Sequence, residues 1–381
     1  MYLNKLASMF LHIYKTNKEN FVLKLILGFS SIFYLLVYKI RLQLYEMNLL
    51  KTVSLDSVVI SVGNITTGGT GKTPIVIELT KYFIANGYKV AVLSRGYKRK
   101  TNGFSLNEAV LISDGEEILT DHEISGDEPY LIAKNVPKAI VIVGKDRIKA
   151  GKAAIRLGAN ILILDDGYQY IRLNRDENIL LLDSYNPFDN YCLLPQGKLR
   201  ELPESLSRST AIIFSNADKA TLQEKDTNIL RHHAPEQPII RMNYRIRNFS
   251  SLNTKRTMST KEIASLKAIV ICGIANPKSF HDSLKALNID IVNLIAFPDH
   301  HDYTIDDFQE IIQVAELNKI ENIIITEKDS IKLNQFCETA PFTIWVGNLE
   351  VIFDVSSPFE KILVNRAKWV KKVHNLPTVR K

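Results

Sequence analysis

A glycine-rich stretch from Ser61 to Pro74, SVGNITTGGTGKTP, constrains the fold of this 381-residue chain more than any other feature. It follows Asp56–Ile60, a short apolar run that is typical of a strand, and it precedes Ile75–Ala85, which has helical spacing. A strand, a glycine-rich loop and a Lys-Thr pair that opens a helix are the parts of a phosphate-binding P-loop. We therefore predict that nucleotide phosphates bind to Thr66, Thr67, Gly68, Gly69, Thr70, Gly71, Lys72 and Thr73.

Each part of this loop has a chemical task. The glycines allow a tight turn whose N–H groups point inward, and the helix N-terminus adds partial positive charge. Lys72 supplies a full charge for the β- and γ-phosphates, and the Thr73 hydroxyl is placed to bind Mg²⁺. One position departs from the strict pattern, because Thr66 stands where a glycine is expected. The alternative, a glycine-rich surface turn, leaves Lys72 and Thr73 at the helix start unexplained.

Apolar runs alternate with helical segments along the next part of the chain, which is typical of a doubly wound α/β fold. The predicted strands are Ser57–Val62, Lys89–Ser94, Ala139–Val143, Asn160–Leu164, Asn178–Leu182 and Thr210–Phe214. The predicted helices between them include Thr73–Ala85, Glu128–Asn135 and Lys145–Leu157. Continuous apolar strands indicate a parallel sheet that is covered on both faces and binds ligands at its carboxyl edge. We predict a P-loop NTPase-like domain at residues 51–237.

A second, smaller α/β domain is predicted at residues 266–357. The pattern lapses at residues 238–265, where charged and apolar residues alternate as in an exposed or linking strand, and we predict a linker there. The predicted strands of the second domain are Lys267–Cys272, Ile291–Ala296, Asn322–Thr326 and Phe342–Val346. A basic C-terminal helix is predicted within residues 358–381.

The net charge of +7 is concentrated at the two ends of the chain. Residues 1–51 carry a net charge of +5 and residues 361–381 carry +7, which leaves −5 for the middle. A nucleic-acid binder usually spreads positive charge over its working face, so we predict no nucleic-acid partner. Because the N-terminal end is also very apolar, the charge pattern indicates contact with an anionic membrane surface.

Residues 1–50 are predicted to form an N-terminal, membrane-associating helical segment. Its centre, Phe21–Tyr38, is 18 residues long and nearly all apolar. As a helix it would be about 27 Å long, just short of the hydrocarbon core of a bilayer. Three arrangements stay open: a helix that lies in the membrane interface, a true span, and an amphipathic helix packed on the protein's own core.

Carboxylates lie at the end of one predicted strand and just before one predicted helix. Asp165 and Asp166 end the apolar run Asn160–Leu164, and an acid at such a strand end holds Mg²⁺ in P-loop proteins. The alternative for both is a helix cap or a turn. Asp127 precedes a helix, so the local sequence favours a helix cap, whereas a general base is the functional alternative.

Basic residues and histidines follow other strands. Arg95, in SRGYKR, and Arg147, in KDR, would face an anion at the carboxyl edge, with a solvated turn as the alternative for the first. The motif FPDHHDY, residues 297–303, has the composition of a metal site, but His300 or its neighbour suits acid–base chemistry equally well. The loop 194–203 brings Lys198, Arg200 and Glu201 close together in sequence.

Taken in order, these stretches resemble the tetraacyldisaccharide 4′-kinase family, the lipid A kinases of Gram-negative bacteria. The matching motifs run from Ser61 to Leu333, and they are SVGNITTGGTGKTP, SRGYKR, GDEPYLIA, VGKDR, ILDDGYQ with LNRD, LPQGKLRE, GIANPKSF, FPDHHDY and TEKDSIKL. Thr66 belongs to the P-loop as this family has it.

The resemblance implies transfer of the γ-phosphoryl group of ATP to the 4′-hydroxyl of a tetraacyldisaccharide 1-phosphate, a lipid A disaccharide precursor. It implies Mg²⁺ as the metal and the cytoplasmic face of the inner membrane as the location. It also implies that Asp127, paired with His300 across a gap between domains, acts on the acceptor hydroxyl, while Lys72 binds the ATP phosphates. The catalytic interpretation of Asp127 thereby replaces the helix cap.

The same resemblance implies the remaining site residues. Metal ligands would be Thr73, Asp165, Asp166 and Glu201. Phosphate of the substrate or the nucleotide would contact Arg95 and Arg147. The chain departs from the family at Tyr170, where a histidine is common, and a tyrosine can donate a hydrogen bond but cannot carry positive charge.

Two other functions remain as alternatives at this stage. A membrane-bound P-loop ATPase switch would hydrolyse nucleotide without a lipid acceptor, and a polynucleotide or small-metabolite kinase would not need the apolar N-terminal helix. The three cysteines are far apart and suggest neither a disulfide framework nor a zinc site, so a reducing compartment fits best: they are Cys192, Cys272 and Cys337.

Overall fold

The structure, a computed structural model, describes residues 21–96 and 109–354. Its helices are α1 Phe21–Glu46, α2 Lys72–Ala85, α3 His122–Ser125, α4 Asp127–Asn135, α5 Arg147–Arg156, α6 Glu224–His233, α7 Pro277–Lys285, α8 Ile305–Leu317 and α9 Glu327–Leu333. Two short 3₁₀ helices cover Pro203–Arg208 and Asn334–Thr339.

The strands in these residues are β1 Val58–Gly63, β2 Val90–Ser94, β3 Val110–Asp114, β4 Ile140–Val143, β5 Ile161–Asp165, β6 Glu177–Asp183, β7 Ala211–Ser215, β8 Ile239–Ser251, β9 Thr257–Ser259, β10 Lys267–Cys272, β11 Asp290–Ala296, β12 Asn322–Thr326 and β13 Thr343–Phe353. The predicted C-terminal helix, the first twenty residues and the basic segment Tyr97–Arg99 lie outside the described residues.

The first part of the sheet is the predicted parallel one, in the order β7-β6-β1-β5-β2-β4, with β3 antiparallel at its edge. Every residue of β1, β2 and β5 is buried, as their continuous apolar sequences predict. Alternate residues of β1 serve two cores: Val58 packs with α2 and α4 on one face, and Val59 packs with α5 on the other. The six parallel strands point their carboxyl ends at the same edge.

The second part of the sheet runs in the order β11-β10-β12-β13, and these four strands are parallel to one another. Both of its faces are covered, by α8 on one side and α7 on the other. The strand bounds match the predicted ones within a residue or two, except that β13 continues to Phe353.

Strand β8 joins the two parts into one sheet. Its first residues pair in parallel with β7, from Ile239 to Arg241, and the rest pair antiparallel with β13, from Met242 to Ser251. The segment predicted as a linker therefore contains a 13-residue strand that is shared by both halves of the sheet. The division into separate domains stays a prediction.

The antiparallel pairing of β8 with β13 sets the direction of the second group of strands. Because β10, β11 and β12 run parallel to β13, their carboxyl ends point back toward the carboxyl edge of the first group. The two carboxyl edges face each other across a space that we call the cleft.

Strand β8 also reaches the P-loop, which follows β1 and ends where α2 begins at Lys72. Gly68 and Gly71 adopt φ values of 117° and 82°, the left-handed region that favours glycine. The Tyr244 hydroxyl of β8 donates to the carbonyl oxygen of Gly71 at 3.0 Å. A Cβ at Gly71 would overlap that hydroxyl, so the site has room only for glycine.

We expect Gly71→Ala to lower the free energy of unfolding by about 1–3 kcal/mol and to weaken ATP binding, because alanine is strained at this φ and overlaps Tyr244. Thermal unfolding and ATP titration measure the two effects. Gly69→Ala is the matched control: its φ is not left-handed, and its Cβ would meet Ala275 at an ordinary 3.4 Å. Equal losses in both variants would contradict this explanation.

Candidate active site

Lys72 is held in place before any ligand binds. Its Nζ lies 3.3 Å from the Asn64 side-chain oxygen and 3.6 Å from Asp166 Oδ1. The Asn64 amide donates to the Thr70 hydroxyl at 3.1 Å, which ties the loop to itself. Thr73 follows in the first turn of α2 and is half-buried. The structure thus brings the P-loop lysine next to a strand-end carboxylate.

The segment 193–201 packs along the beginning of the P-loop. Thr66 forms an isolated β-bridge with Leu199, and the Thr67 N–H donates to the Lys198 carbonyl oxygen at 2.8 Å. Thr66 is buried by this contact. The residue that departs from the strict P-loop pattern is therefore part of an extended connection between the loop and this segment.

Asp165 ends β5 beside the P-loop and is almost fully buried. Its Oδ2 accepts a hydrogen bond from the Ser94 hydroxyl at 3.1 Å, whereas its Oδ1 is buried without a partner. Burial, with the nearby charges of Glu128 and Asp166, raises the pKa of Asp165 to about 7. A buried carboxylate with an unpaired oxygen is a group that a cation would satisfy.

Asp166 is held by two cations. The Arg200 guanidinium donates to both of its carboxylate oxygens, at 2.9 and 3.0 Å, and Lys72 lies on the same side. Burial alone would raise the pKa of Asp166, but the charges of Lys72 and Arg200 outweigh it and hold that pKa below the ordinary value. The residue has a φ of 53°, so its backbone is in the left-handed region at the strand end.

Glu201 is placed differently from the other predicted metal ligands. It is buried, and its carboxylate accepts hydrogen bonds from Arg208 and from the Tyr38 hydroxyl, the latter at 2.9 Å. In residues 21–96 and 109–354, no three His, Cys, Asp or Glu side chains form a ready-made metal cage. Mg²⁺ usually takes one or two carboxylates together with substrate phosphates, and Asp165 with Thr73 fits that requirement.

The two predicted phosphate contacts differ in exposure. Arg147 is buried and donates to the carbonyl oxygens of Gly144 at 2.6 Å and Asp165 at 3.2 Å. Burial lowers the pKa of Arg147 to about 10, and the nearby charge of Arg95 contributes to this shift. Arg95 itself is exposed at the end of β2. Arg147 thus supports the end of β5 from within, whereas Arg95 is exposed to solvent.

Asp127 and His300 meet across the cleft. The first residue of α4 and the loop after β11 bring His300 Nδ1 within 2.9 Å of Asp127 Oδ2. The helix cap position is occupied by Gly126, so the Asp127 side chain does not cap α4. Burial opposes ionisation, but hydrogen bonds from His300 and Lys332 and the charge of Lys332 lower the pKa of Asp127. The ionised carboxylate only accepts, so Nδ1 carries the proton.

The second histidine of FPDHHDY points elsewhere. His301 Nε2 lies 2.9 Å from Asp307 Oδ2, and its ring stacks on Phe297. The structure therefore assigns the two histidines different surroundings, which composition alone did not distinguish. Tyr170, at the position where the family commonly has histidine, places its hydroxyl 3.4 Å from Asp146, the N-cap of α5.

Lys332 was not among the predicted site residues. Its Nζ lies 3.0 Å from Asp127 Oδ2, although the two residues belong to different halves of the sheet. Lys332 lies in the motif TEKDSIKL, which supported the family resemblance but did not indicate a function for this lysine.

Helix α1 has two different faces. Its inner face donates hydrogen bonds to the segment 193–201: Ser31 to the Leu193 carbonyl at 3.0 Å and Tyr34 to the Arg200 carbonyl at 2.7 Å. Its outer face exposes large apolar side chains: Val22, Leu25, Ile26, Phe29, Ile32, Phe33, Leu36, Val37 and Ile40. By length and composition alone, Val22–Glu46 could cross a membrane, and only 11% of its most apolar window is buried.

A P-loop lysine beside two strand-end aspartates, together with an Asp-His pair that joins the two halves of the sheet, defines an α/β kinase of the P-loop type. Comparison with known families makes the assignment specific. The profile of the family described as tetraacyldisaccharide-1-P 4′-kinase matches residues 23–368. The chain therefore belongs to the tetraacyldisaccharide-1-P 4′-kinase family.

Individual relatives agree with this assignment. A tetraacyldisaccharide 4′-kinase from Syntrophus aciditrophicus is 39% identical over 325 residues, covering 83% of this chain and 86% of the relative. One from Halothermothrix orenii is 36% identical over 348 residues, covering 87% and 89%. These comparisons confirm the predicted family and its enzyme class, a kinase of lipid A biosynthesis.

A solved structure confirms the fold class. The crystal structure of LpxK from Aquifex aeolicus, described as an "apo" form in complex with ATP, superposes with a TM-score of 0.71 at 29% identity. It covers 89% of this chain and 97% of the Aquifex chain. ATP is thus the nucleotide of the family, as predicted, and the predicted roles of single site residues stay predictions.

Asp165→Asn is expected to stabilise the nucleotide-free protein at about pH 8 by roughly 1 kcal/mol or more. The folded-state pKa of Asp165 is raised to about 7, so in the wild type this group lowers stability as pH rises from the ordinary carboxyl range to about 7. Asp165→Asn has no carboxyl group at this position, so its stability should not show that decrease with pH. Unfolding temperatures measured across this pH range test it.

Addition of Mg²⁺ and ATP should raise the unfolding temperature of the wild type more than that of Asp165→Asn. The control is Asp290→Asn, at an exposed position on β11, which should change neither curve. An Asp165→Asn protein with the pH dependence of the wild type would show that this carboxyl is not destabilising.

Proposed function

We propose that this chain transfers the γ-phosphoryl group of ATP to the 4′-hydroxyl of a tetraacyldisaccharide 1-phosphate and so forms the 4′-phosphorylated lipid A precursor. The observation that carries the proposal is the 2.9 Å contact between His300 and Asp127. It places an oriented carboxylate where the two halves of the sheet meet at the cleft. A nucleotide switch needs the P-loop but has no use for such a pair.

The P-loop side of the cleft would hold the donor. Lys72 and the loop N–H groups would bind the β- and γ-phosphates, and Arg95, which is exposed at the end of β2, would add a further phosphate contact. Thr73 and Asp165 would hold Mg²⁺, which when bound neutralises phosphate charge. Arg200 fixes Asp166 next to Lys72, so positive and negative charges are in position before the nucleotide arrives.

Asp127, with His300 from the other half of the sheet, would activate the acceptor. Asp127 accepts the proton of the 4′-hydroxyl as the sugar oxygen bonds to the γ-phosphorus and the bond to the β-phosphate oxygen breaks, with ADP leaving. His300 orients the carboxylate through Nδ1–H. Because the pKa of Asp127 is lowered, the group is ionised at neutral pH and ready to accept the proton.

Two predicted residues have indirect roles in this proposal. Arg147 donates to the backbone at the end of β5, so it would position Asp165 and respond to phosphate only through that strand end. Glu201 would stay paired with Arg208 unless the segment 193–201 rearranges when Mg²⁺ and ATP bind.

The outer face of α1 supports attachment to the membrane in which a four-chain lipid resides. Its inner face is hydrogen-bonded to the protein at Ser31, Tyr34 and Tyr38, so we propose that α1 lies in the interface and does not cross the bilayer. A kinase that uses ATP would work at the cytoplasmic face of the inner membrane.

The reaction is tested by incubating the protein with Mg²⁺, ATP and the tetraacyldisaccharide 1-phosphate and looking for a bisphosphorylated lipid. We expect product from the wild type and a loss of about 10²–10⁴-fold in Asp127→Ala, because a general base is removed. ATP binding, measured separately, should be retained in the variant. Vigorous ATP hydrolysis without any lipid product would instead favour the ATPase switch.

Membrane attachment is tested by replacing the two most exposed rings on α1. Phe29 and Phe33 are 71% and 69% exposed, so Phe29→Glu with Phe33→Glu should preserve the fold. We expect sedimentation with phosphatidylglycerol vesicles to fall more than about tenfold, since two aromatic anchors are lost.

The matched control is Ile305→Glu with Leu317→Glu, two exposed apolar residues of α8 on another part of the protein. This pair should sediment with vesicles as the wild type does. Equal binding by all three proteins would show that the outer face of α1 is not the membrane contact.

A further inference from the structure

The ammonium group of Lys332 is surrounded by oxygen atoms from both halves of the sheet. It lies 3.0 Å from Asp127 Oδ2 and 2.8 Å from Asp302 Oδ1. It also donates to the carbonyl oxygens of His300 at 3.1 Å and His301 at 3.0 Å. The Lys332 side chain is only 8% exposed, so these contacts are largely shielded from water.

The helix that carries Lys332 is firmly anchored. At its start Asp329 accepts hydrogen bonds from the Thr326 hydroxyl at 2.6 Å, the Tyr303 hydroxyl at 2.9 Å and the Gly273 N–H at 3.0 Å. Gly273 in turn accepts from the His300 N–H at 3.1 Å. The lysine and the histidine that meet Asp127 are therefore held by one continuous network in the second half of the sheet.

Two donors contact the same oxygen of the Asp127 carboxylate, so its two oxygens have different surroundings. Both His300 Nδ1 and Lys332 Nζ contact Oδ2. The other oxygen, Oδ1, is then the one that remains for an acceptor hydroxyl. Lys332 also holds the carbonyl of His300, a residue with a left-handed φ of 61°, which a non-glycine residue keeps only when its surroundings fix it.

We propose that Lys332 is a positioning residue for phosphoryl transfer: it fixes the Asp127 carboxylate and the His300 backbone so that Asp127 Oδ1 faces the acceptor hydroxyl. This inference rests on the proposed kinase reaction and extends its Asp-His pair to a three-residue arrangement. In this proposal Lys332 acts through its contacts with Asp127 and His300.

The charges around Asp127 determine how the proposal can be measured. They come from His300 on the loop after β11, from Lys332 on α9 and, beyond Lys332, from Asp302, whereas Glu128 on α4 acts on Asp165. The contact with Asp127 and Asp302 raises the pKa of Lys332, so the lysine is charged while Asp127 is ionised.

The test compares the pH dependence of kcat for Lys332→Met and Lys332→Arg with that of the wild type, at saturating lipid and ATP. In Lys332→Met we expect kcat to fall at least about tenfold. The acid limb of the pH profile, where kcat rises with pH as Asp127 ionises, should move to higher pH by about one unit or more, because an opposite charge near Asp127 is lost. The KM for ATP should change less than about twofold. Lys332→Arg keeps the charge and should return the acid limb to the wild-type position.

Two further variants distinguish a positioning role of Lys332 from a general disturbance of the protein's structure. Lys328→Met removes a lysine from the same helix, paired with Asp299 at 2.8 Å, and should leave kcat and the pH profile unchanged. Asp302→Asn removes the competing carboxylate at a position that is 86% exposed, so the protein should fold, and the acid limb should move to lower pH.

A folded Lys332→Met enzyme with wild-type kcat and an unmoved acid limb would overturn the proposal. If Lys332→Met does not fold, Asp302→Asn is the deciding variant. An acid limb of Asp302→Asn that stays in place or moves to higher pH overturns the proposal. A wild type that makes no phosphorylated lipid would overturn the kinase reaction and this inference together, whereas an active wild type with unmoved limbs overturns this inference alone.

Discussion

The antiparallel pairing between β8 and β13 is the contact on which the site depends. A parallel sheet offers its ligand-binding loops at one edge only, so a protein with two such units needs their edges to meet. The reversal at β8 achieves this within one continuous sheet, because it turns the carboxyl ends of the second group back toward the first. Asp127 and His300 touch for that reason, and Tyr244 on the shared strand touches the P-loop.

Charges in the cleft are arranged as two balanced sets. On the donor side Lys72 and Arg200 share Asp166, while Asp165 retains an oxygen without a partner. On the acceptor side Lys332 and His300 share one oxygen of Asp127. Each set contains a carboxylate held by cationic side chains, which is the fixed arrangement of charge that the proposed phosphoryl transfer requires.

Much of this architecture was predictable because its determinants are local. The apolar runs of β1, β2 and β5 and the glycines before Lys72 depend on residues close in sequence, and their bounds agree with the structure within a residue or two. The antiparallel edge strand β3 was missed, because it lies beyond the helical and apolar pattern of the core strands.

The acceptor side of the site was not predictable in this way. Asp127 and His300 are 173 residues apart, so no local pattern records their contact, and the local sequence favoured a helix cap for Asp127. The resemblance to the family supplied that pair, but not Lys332, and composition gave no means to tell His300 from its neighbour. The direction of the Glu201 carboxylate depends on Arg208 and Tyr38, which only packing reveals.

The hydrogen bonds of α1 have a consequence for how the nucleotide site behaves. Tyr34 binds the backbone of Arg200, and the side chain of Arg200 holds Asp166 beside the P-loop lysine. The helix that presents its apolar face outward is thus two contacts away from the phosphate-binding residues. A displacement of α1 would therefore reach the P-loop lysine through the backbone and side chain of a single residue, Arg200.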